Sequence, residues 1–412
     1  MSVLLEAIKF NHNSASANND ALNIRKNATE FVHVPEWRRG ISVNAEDSPA
    51  AYALKETSGH TITIQARFRR TDPNIQTCFI RAIDPIVFPT PPGGCLGLLY
   101  WLLLMTLGRF LRALFRILFG NVLGEVRSKQ VTFQVNDFTN FETFKLHHVR
   151  LWHAGVGVHT VTWRWQYRLH QSGKWKYLTT SRHRIYSVLE VPKLPWQQTP
   201  YNSANTQLPW TQVLDYACNW AAGRKSLDAA AGAVTRNMYE LGPTVVTYDC
   251  PGGGSTHYAW PDFDCTAFID RLHGGVGNGQ YVNCTDCGTV VSSFANIVGC
   301  DLWQSRMGWS FGLNEMLGIG SNVWQTACNW GGFSYHEVAW KGACTENEEV
   351  FDGCLQVDGD ADPTTAPHTA LLPVNLRFGN SGDGQYRDRL ATPPTRPNCA
   401  PQPATRQRRL IS

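Results

Sequence analysis

Apolar and polar residues alternate in several stretches of the first half of the chain. One apolar face recurs at every second position of residues 61–70, and a shorter copy of the pattern is formed by Val131, Phe133 and Val135. The clearest case spans residues 161–169, where aromatic and aliphatic side chains share one face. A period of two predicts half-buried strands. We therefore expect residues 56–192 to form an antiparallel β-sandwich of immunoglobulin-like type, although the Cys-Trp-Cys spacing of antibody domains is missing.

In the second half of the chain the apolar residues follow the helical period instead. Residues 213–221 and 227–241 each carry one apolar stripe. A third stripe runs over residues 284–298 and is followed by Gly299, at a position where helices commonly end in a left-handed residue. Strand-like runs lie between and after these helices. Residues 210–390 are thus predicted to form an α+β domain.

Three other segments lack either period. Residues 1–55 are rich in Asn, Ala and Ser and are interpreted as an irregular lead-in, and residues 193–209, rich in Pro, Gln and Asn, as a linker. Residues 391–412 combine prolines with arginines and are expected to be a disordered tail. A chain of 412 residues has room for the two domains that remain.

An unusual insertion interrupts the predicted sandwich at residues 89–124. Its residues 95–108 carry no charge, after which Arg109, Arg112 and Arg116 follow at helical spacing. A spanning helix needs about 20 apolar residues, and three arginines argue against one here. Residues 95–119 either form a basic amphipathic helix at a membrane interface or pack on their own domain or a second subunit. The sequence leaves both interpretations open.

Composition narrows the class of protein only slightly. The formal charge of +4 is too small to indicate a nucleic-acid partner. The first twenty residues lack the apolar core of a signal peptide, which favours a cytoplasmic location, with membrane association through the insertion as a possibility. Most of the twelve cysteines are expected to be reduced thiols, and disulfides are the alternative if the chain is exported.

Cys284 is the best candidate for a reactive thiol. It opens the third predicted helix, and Asp286 occupies the first turn of that helix, where a carboxylate is favourable. A thiol at the positive end of a helix dipole ionises more readily, and the thiolate is the nucleophilic form. The spacing therefore indicates a nucleophile at the start of a buried helix.

A base and its orienting group are expected in one hairpin. Residues 333–343 and 350–358 read as strands joined by a loop centred on Asn347. In a hairpin symmetric about Asn347, His336 and Asp358 face each other, close enough for the carboxylate to orient the imidazole. Trp340 lies on the same face of its strand as His336 and is expected to screen the pair from water.

These motifs resemble those of the transglutaminase-like cysteine enzymes, over about residues 205–372. The resemblance is carried by Cys284-Thr-Asp-Cys-Gly, by His336-Glu-Val and by Asp358 at a strand end. It implies a papain-like fold in which Cys284 attacks an amide carbonyl, His336 moves the proton and Asp358 orients His336. The Cys284 N–H and a donor such as Gln280 or Asn278 would hold the oxyanion. This chain departs from the family in a longer Cys-to-His interval and in lacking a proline after Asp358.

The function that follows is thiol-mediated acyl transfer on a peptide or glutamine amide, with a protein or peptide as substrate. Hydrolysis is slightly favoured over amine transfer, that is, protein cross-linking. The alternative is a non-catalytic peptide-binding scaffold whose insertion docks a membrane or a partner. We expect no cofactor, although the acidic run from Asp358 to Asp362 leaves a weak calcium site open.

Two other cysteine chemistries are less well supported. Cys284 and Cys287 form a Cys-x-x-Cys pair, as in thiol–disulfide exchange, but no thioredoxin-like βαβ pattern precedes them. A structural zinc site would need a second pair at ligand spacing, which the later cysteines do not supply. We therefore predict no metal at the active site.

Overall fold

The structure is a computed structural model that describes residues 2–13, 17–85, 120–197 and 207–412. The chain separates into two compact units. The first unit contains residues 1–22, 32–154 and 158–186, and the second contains residues 23–31, 155–157 and 187–412. Neither unit is therefore a single continuous stretch of chain.

The first unit is built on one nine-stranded antiparallel sheet with the order β2-β1-β4-β7-β6-β5-β8-β9-β3. Buried positions alternate along its strands, as the period of two predicts; Trp163 and Trp165 of the longest alternating stretch are fully buried. The strands are β1 Val3–Lys9, β2 Trp37–Arg38, β3 Pro49–Ala53, β4 Thr63–Arg70, β5 Thr77–Ile83, β6 Glu125–Thr132, β7 Glu142–His147, β8 Gly157–Arg168 and β9 Lys176–Val188.

Short helical segments connect some of these strands. They are α1 Leu54–Thr57, α2 Leu151–Ala154 and a 3-10 turn at Ala45–Asp47. No helix within the described ranges is long and apolar enough to cross a bilayer. The insertion at residues 95–119 lies outside the described residues.

The architecture of this unit differs from the expectation in three respects. Residues 1–55, expected to be irregular, supply β1, β2 and β3. All nine strands belong to one hydrogen-bonded series, where a two-sheet sandwich was expected. Strand β6 ends at Thr132, and Val135 is fully exposed, so the alternation at Val131–Val135 does not mark a continuous strand.

The second unit contains the predicted helices, packed around one that is wholly buried. The helices are α3 Thr211–Trp220, α4 Leu227–Tyr239, α5 Cys265–Leu272, α6 Cys284–Ile297 and α7 Tyr386–Leu390, with 3-10 turns at Ala327–Asn329 and Pro393–Asn398. All fourteen residues of α6 are buried, and Gly299 follows with φ +103°. The three helices predicted from apolar stripes are thus confirmed as α3, α4 and α6.

Short strands complete the second unit and pack beside α6. A five-stranded sheet has the strand order β20-β17-β16-β12-β21, and a three-stranded sheet has the order β14-β18-β19. Strands β10 and β11 form a two-stranded sheet, and strands β13 and β15 form another. The strands are β10 Thr247–Tyr248, β11 Tyr281–Val282, β12 Trp303–Met307, β13 Phe311–Gly312, β14 Leu317–Gly318, β15 Gly332–Phe333, β16 His336–Trp340, β17 Glu349–Phe351, β18 Leu355–Asp358, β19 Ala370–Leu371, β20 Val374–Arg377 and β21 Pro401–Gln407.

The C-terminal segment is part of this core rather than a disordered tail. Strand β21 pairs with β12, and beyond it the Arg409 side chain is buried. Arg409 Nη1 donates to Glu337 Oε1 at 2.5 Å and to Thr289 Oγ1 at 3.0 Å. The prediction of disorder was based on composition alone. It failed because Arg409 is buried against a carboxylate 72 residues away, a contact that the composition of the segment does not indicate. The arginine therefore fixes the segment against α6 and β16.

Most cysteines in the described part of the chain are free, and two of them form a disulfide. Cys250 and Cys328 form a disulfide that joins the chain after β10 to the 3-10 turn at Ala327–Asn329. Nine other cysteines among the described residues are free and buried. The bond holds Trp330 near Tyr248, with ring centroids 6.0 Å apart.

Breaking the buried Arg409–Glu337 pair should destabilise the second unit. Arg409→Met leaves the Glu337 carboxylate with only the half-exposed Arg306 as counter-charge. Losing one partner of a buried ion pair costs about 3–5 kcal/mol. The free energy of unfolding, from urea titration of the full chain, should fall by that order.

The matched control is Arg406→Met, which removes an exposed arginine three residues earlier that lies over Trp303. An exposed cation–π contact is worth about 0.5–1 kcal/mol, so this variant should lose far less stability. Equal losses in the two variants would contradict the structural role assigned to Arg409.

Candidate active site

The start of α6 is fixed by a buried capping box. The Asn283 side chain accepts a hydrogen bond from the Asp286 N–H at 3.0 Å, and Asp286 Oδ2 accepts from the Asn283 N–H at 3.0 Å. Asp286 also accepts N–H bonds from Tyr258 and Ala259, at 2.8 and 2.9 Å. Burial raises the pKa of Asp286, and these donors oppose that rise. The capping box therefore places Cys284 in the first turn of the helix.

Two tyrosines lie close to the Cys284 thiol, which is only 6% exposed. Burial and then the charge of Cys284 raise the pKa of Tyr248, and the same two causes raise the pKa of Tyr335. Both hydroxyl groups therefore keep their protons over the working pH range. The Cys284 N–H, at the first helical position, has no partner inside the helix. The two hydroxyl groups and this N–H are hydrogen-bond donors in the surroundings of Cys284.

His336 is the histidine that the structure brings to Cys284. Its ring is fully buried on β16 and stacks on Phe333, with centroids 5.4 Å apart and planes 10° apart. His336 Nε2 lies 2.9 Å from Asp352 Oδ2. Nδ1 has no partner of hydrogen-bond geometry within the described ranges, so it is the nitrogen available to exchange a proton with the thiol.

The pKa of His336 reflects these neighbours. Burial lowers it, but the charge of Asp352, its hydrogen bond and the interaction with Cys284 outweigh burial and raise the pKa to about 10. The ring is therefore an imidazolium near neutral pH.

Asp352 is itself held in place. Tyr386 donates its hydroxyl to Asp352 Oδ2 at 2.7 Å, and the Cys354 N–H donates to Asp352 Oδ1 at 2.8 Å. The carboxylate is 1% exposed. Asp352 can therefore orient His336 in one geometry, which is the part that a third group plays in nucleophilic cysteine chemistry.

The predicted pairing of His336 with Asp358 is wrong. Asp358 Oδ2 lies 2.6 Å from His368 Nδ1, and Oδ1 accepts the Thr369 N–H at 2.9 Å. The β16–β17 register aligns Trp340 with Val350, so the hairpin is centred two residues earlier than Asn347. In that register the position opposite His336 is that of Cys354, so Asp358 does not face the histidine.

A break in the predicted second strand explains why Asp352, and not Asp358, meets His336. The run 350–358 divides into β17 and β18, which belong to different sheets. A Cβ on Gly353 would lie 2.9 Å from Val291 Cγ2 of α6, so the chain passes too close to the helix for any side chain there. The break turns Asp352 toward His336 and carries Asp358 away.

Asn278 and Trp340, two of the other predicted supporting residues, make their hydrogen bonds away from the thiol. Asn278 Nδ2 donates to the His257 carbonyl oxygen and to Asp264, at 3.0 and 3.1 Å, and Gln280 is exposed. Trp340 donates to the Ser305 carbonyl oxygen at 3.2 Å and stacks on Phe378. Phe333, rather than Trp340, covers the His336 ring.

The residues that sequence reasoning missed are Asp352, Tyr386 and Tyr248. The sequence offered one signal for the first of them, the Asp-Gly pair at Asp352-Gly353, which is typical of a turn rather than a strand interior. Tyr386 and Tyr248 lie far from Cys284 in the sequence, and nothing in their local spacing indicates a role.

A cavity of about 440 Å³ opens on the chain just before His336. Its lining is mostly apolar and aromatic and includes one cation, which lies 4.3 Å from the Tyr335 ring. The lining residues are Arg306, Trp309, Ser310, Ser334, Tyr335, Gln402, Pro403, Ala404 and Thr405. Tyr335 lines this cavity and also interacts electrostatically with Cys284.

The acidic run from Asp358 to Asp362 folds as a series of turns. Asp358 Oδ1 accepts the Asp360 N–H, Asp360 Oδ1 accepts the Asp362 N–H, and Asp362 Oδ1 accepts the Thr364 N–H. These carboxylates stabilise their own loop, and the weak calcium site stays an untested expectation.

Comparisons with known proteins add little. No family model matches the chain, and no curated protein matches it. Among solved structures, a red sea bream transglutaminase matches with 10% sequence identity and a TM-score of 0.36. The match covers 82% of this chain and 52% of that protein, so the chain spans about half the length of the structure it matches. A TM-score this low assigns neither a fold nor an activity.

The pKa of His336 should depend on Asp352 and not on Asp358. Asp352→Asn removes the charge that holds the His336 pKa near 10, so the pKa should fall well below 10. Asp358→Asn is the matched control, because that carboxylate binds His368. The measurement is an NMR titration of the histidine rings, with His336 assigned by His336→Gln.

The same pair should make stability depend on pH. The pKa of His336 is about 10 in the folded chain against an ordinary 6.5, so its stabilising contribution is complete below pH 6.5 and disappears as the pH rises toward 10. The stability difference between the wild type and Asp352→Asn should therefore shrink across that interval. A difference that stays constant with pH would contradict a charged pair.

Proposed function

We propose that this chain is a cysteine acyl-transfer enzyme in which Cys284, His336 and Asp352 form the catalytic triad. The observation that carries the proposal is a buried imidazole held by a carboxylate on one side, at 2.9 Å, and interacting with a helix-opening cysteine on the other. A merely structural cysteine would need neither the histidine nor its fixed carboxylate.

The first half of the reaction forms a thioester. Cys284 Sγ attacks the carbonyl carbon of an amide while His336 Nδ1 carries a proton. The negative charge that forms on the carbonyl oxygen is met by the Cys284 N–H and by the hydroxyl of Tyr248 or Tyr335. As the C–N bond breaks, His336 returns the proton to the departing amine.

The second half releases the acyl group. Water or a primary amine attacks the thioester carbonyl, His336 Nδ1 takes the proton of the attacking group, and the Cys284 thiolate departs. Asp352 keeps the ring in one orientation through both halves. Hydrolysis and amine transfer share the intermediate, and we favour hydrolysis slightly.

A peptide or glutamine amide is the substrate class that suits the surroundings. The cavity beside Tyr335 is mostly apolar and is large enough for a side chain, and Arg306 within it is already paired with Glu337. It would accept an apolar or aromatic group next to the reacting amide. No charged recognition of the substrate is needed in this arrangement.

The first test is the reactivity of Cys284. Iodoacetamide labelling between pH 5 and 9, mapped by mass spectrometry, should modify Cys284 well before its neighbours, because a thiolate is the reacting form. Burial raises the pKa of Cys300, Cys344 and Cys399 to about 12, so these thiols are internal references. His336→Gln and Asp352→Asn should slow the labelling of Cys284, and Asp358→Asn should not.

If Cys284 is labelled no faster than the reference cysteines, the proposal of an enzyme is overturned. The alternative that remains is a non-catalytic peptide-binding scaffold. That alternative keeps an intact fold with an inert Cys284. Thermal unfolding of each variant separates a loss of reactivity from a loss of structure.

Product analysis then distinguishes the two acceptors. Peptides carrying glutamine and an adjacent aromatic residue are incubated with and without a primary amine. Ammonia release with free acid or cleaved peptide as product means hydrolysis, and an amine adduct means transfer. His336→Gln should lower either rate by roughly 10²-fold or more, as expected when general acid–base catalysis is lost.

A further inference from the structure

A second cluster of chemistry-bearing side chains lies in the first unit, where β6 begins and β7 ends. Glu125, His147 and His148 each offer one ligand atom, and these three atoms lie within 4.8 Å of one another. His147 Nε2 is 3.3 Å from Glu125 Oε2. The cluster belongs to the sheet unit and takes no part in the cysteine chemistry.

The strand register builds two members of the cluster. Glu125 and His147 are direct partners in the antiparallel β6–β7 pair. Side chains at such positions have Cβ atoms about 4.5–5.5 Å apart, so the carboxylate and the imidazole meet without any rearrangement. The Glu125 side chain is 8% exposed and that of His147 is 29% exposed.

The third member is brought in by the backbone. His148 adopts φ +58°, which turns its ring beside that of His147, with centroids 4.6 Å apart. Gly124, at φ +64°, has no room for a side chain, because a Cβ there would lie 2.1 Å from the His147 carbonyl oxygen. Glycine at 124 thus permits the close approach that sets His148 alongside Glu125.

From this geometry we propose that Glu125, His147 and His148 form a binding site for a divalent transition metal, with zinc as the ion that fits best. Two imidazoles and one carboxylate are the ligands of open zinc sites, in which water takes the fourth position. Calcium and magnesium prefer oxygen ligands, so this set disfavours them. His148 is exposed, so the ion enters from solvent.

An ion pair alone does not account for the third residue. Glu125 could pair with a protonated His147, and the same carboxylate also interacts with the Arg81 cation. His148 lies outside such a pair, although its ligand atom is within 4.8 Å of the other two. A metal ion would bind both imidazole rings together with the carboxylate, which accounts for all three residues.

The test compares the full-length wild type with His148→Ala, using Zn²⁺ and competition against a chromophoric chelator. Wild type should bind one Zn²⁺ that His148→Ala binds at least about tenfold more weakly, since even the loss of an outer-shell partner costs 10–100-fold. Zn²⁺ should also raise the melting temperature of the wild type and not that of the variant.

The matched control is His153→Ala, which removes an exposed histidine five residues away and should leave the affinity unchanged. Glu125→Gln should weaken binding too; the decisive variant remains His148→Ala, whose exposed position spares the fold. Equal Zn²⁺ affinity in the wild type and His148→Ala would overturn the proposal, and it is also the result expected if cysteines alone hold the ion. Absence of Zn²⁺ binding to the wild type would overturn it as well.

Discussion

The second unit depends on one buried carboxylate, that of Asp286. It accepts N–H bonds from the loop at 257–259 and from Asn283, while the Asn283 side chain caps the same helix end. Removing that charge from water is costly, and the converging N–H donors offset the cost. The loop and the helix end therefore hold one geometry, and the direction in which Cys284 points follows from it.

The helix itself could be predicted because its information is local. The apolar stripe, the Asn283 cap position, Asp286 in the first turn and the glycine after the last turn all lie within seventeen residues of chain, and each acts within one or two helical turns. The positions of Cys284 at a helix start and of His336 at a strand start follow from the same kind of local pattern. Local spacing is sufficient for such positions.

The orienting carboxylate could not be predicted by the same means. Which of Asp352 and Asp358 meets His336 depends on the approach of Gly353 to Val291, a contact between segments 62 residues apart. The hairpin centre lies two positions earlier than Asn347, which removes Asp358 from the position opposite His336. The C-terminal segment is a second example, since its order depends on Arg409 reaching Glu337 and not on its own composition. Tertiary contacts decided both cases.

The two units are interleaved along the chain, so neither can be removed as one continuous segment. Residues 23–31 belong to the second unit: the Arg25 N–H donates to the Pro209 carbonyl oxygen at 2.9 Å, and the Thr211 N–H donates to the Arg25 carbonyl oxygen at 2.8 Å. No single cut separates the units intact. Exchange of either unit between proteins would need several crossovers at once, because each unit comprises more than one stretch of the chain.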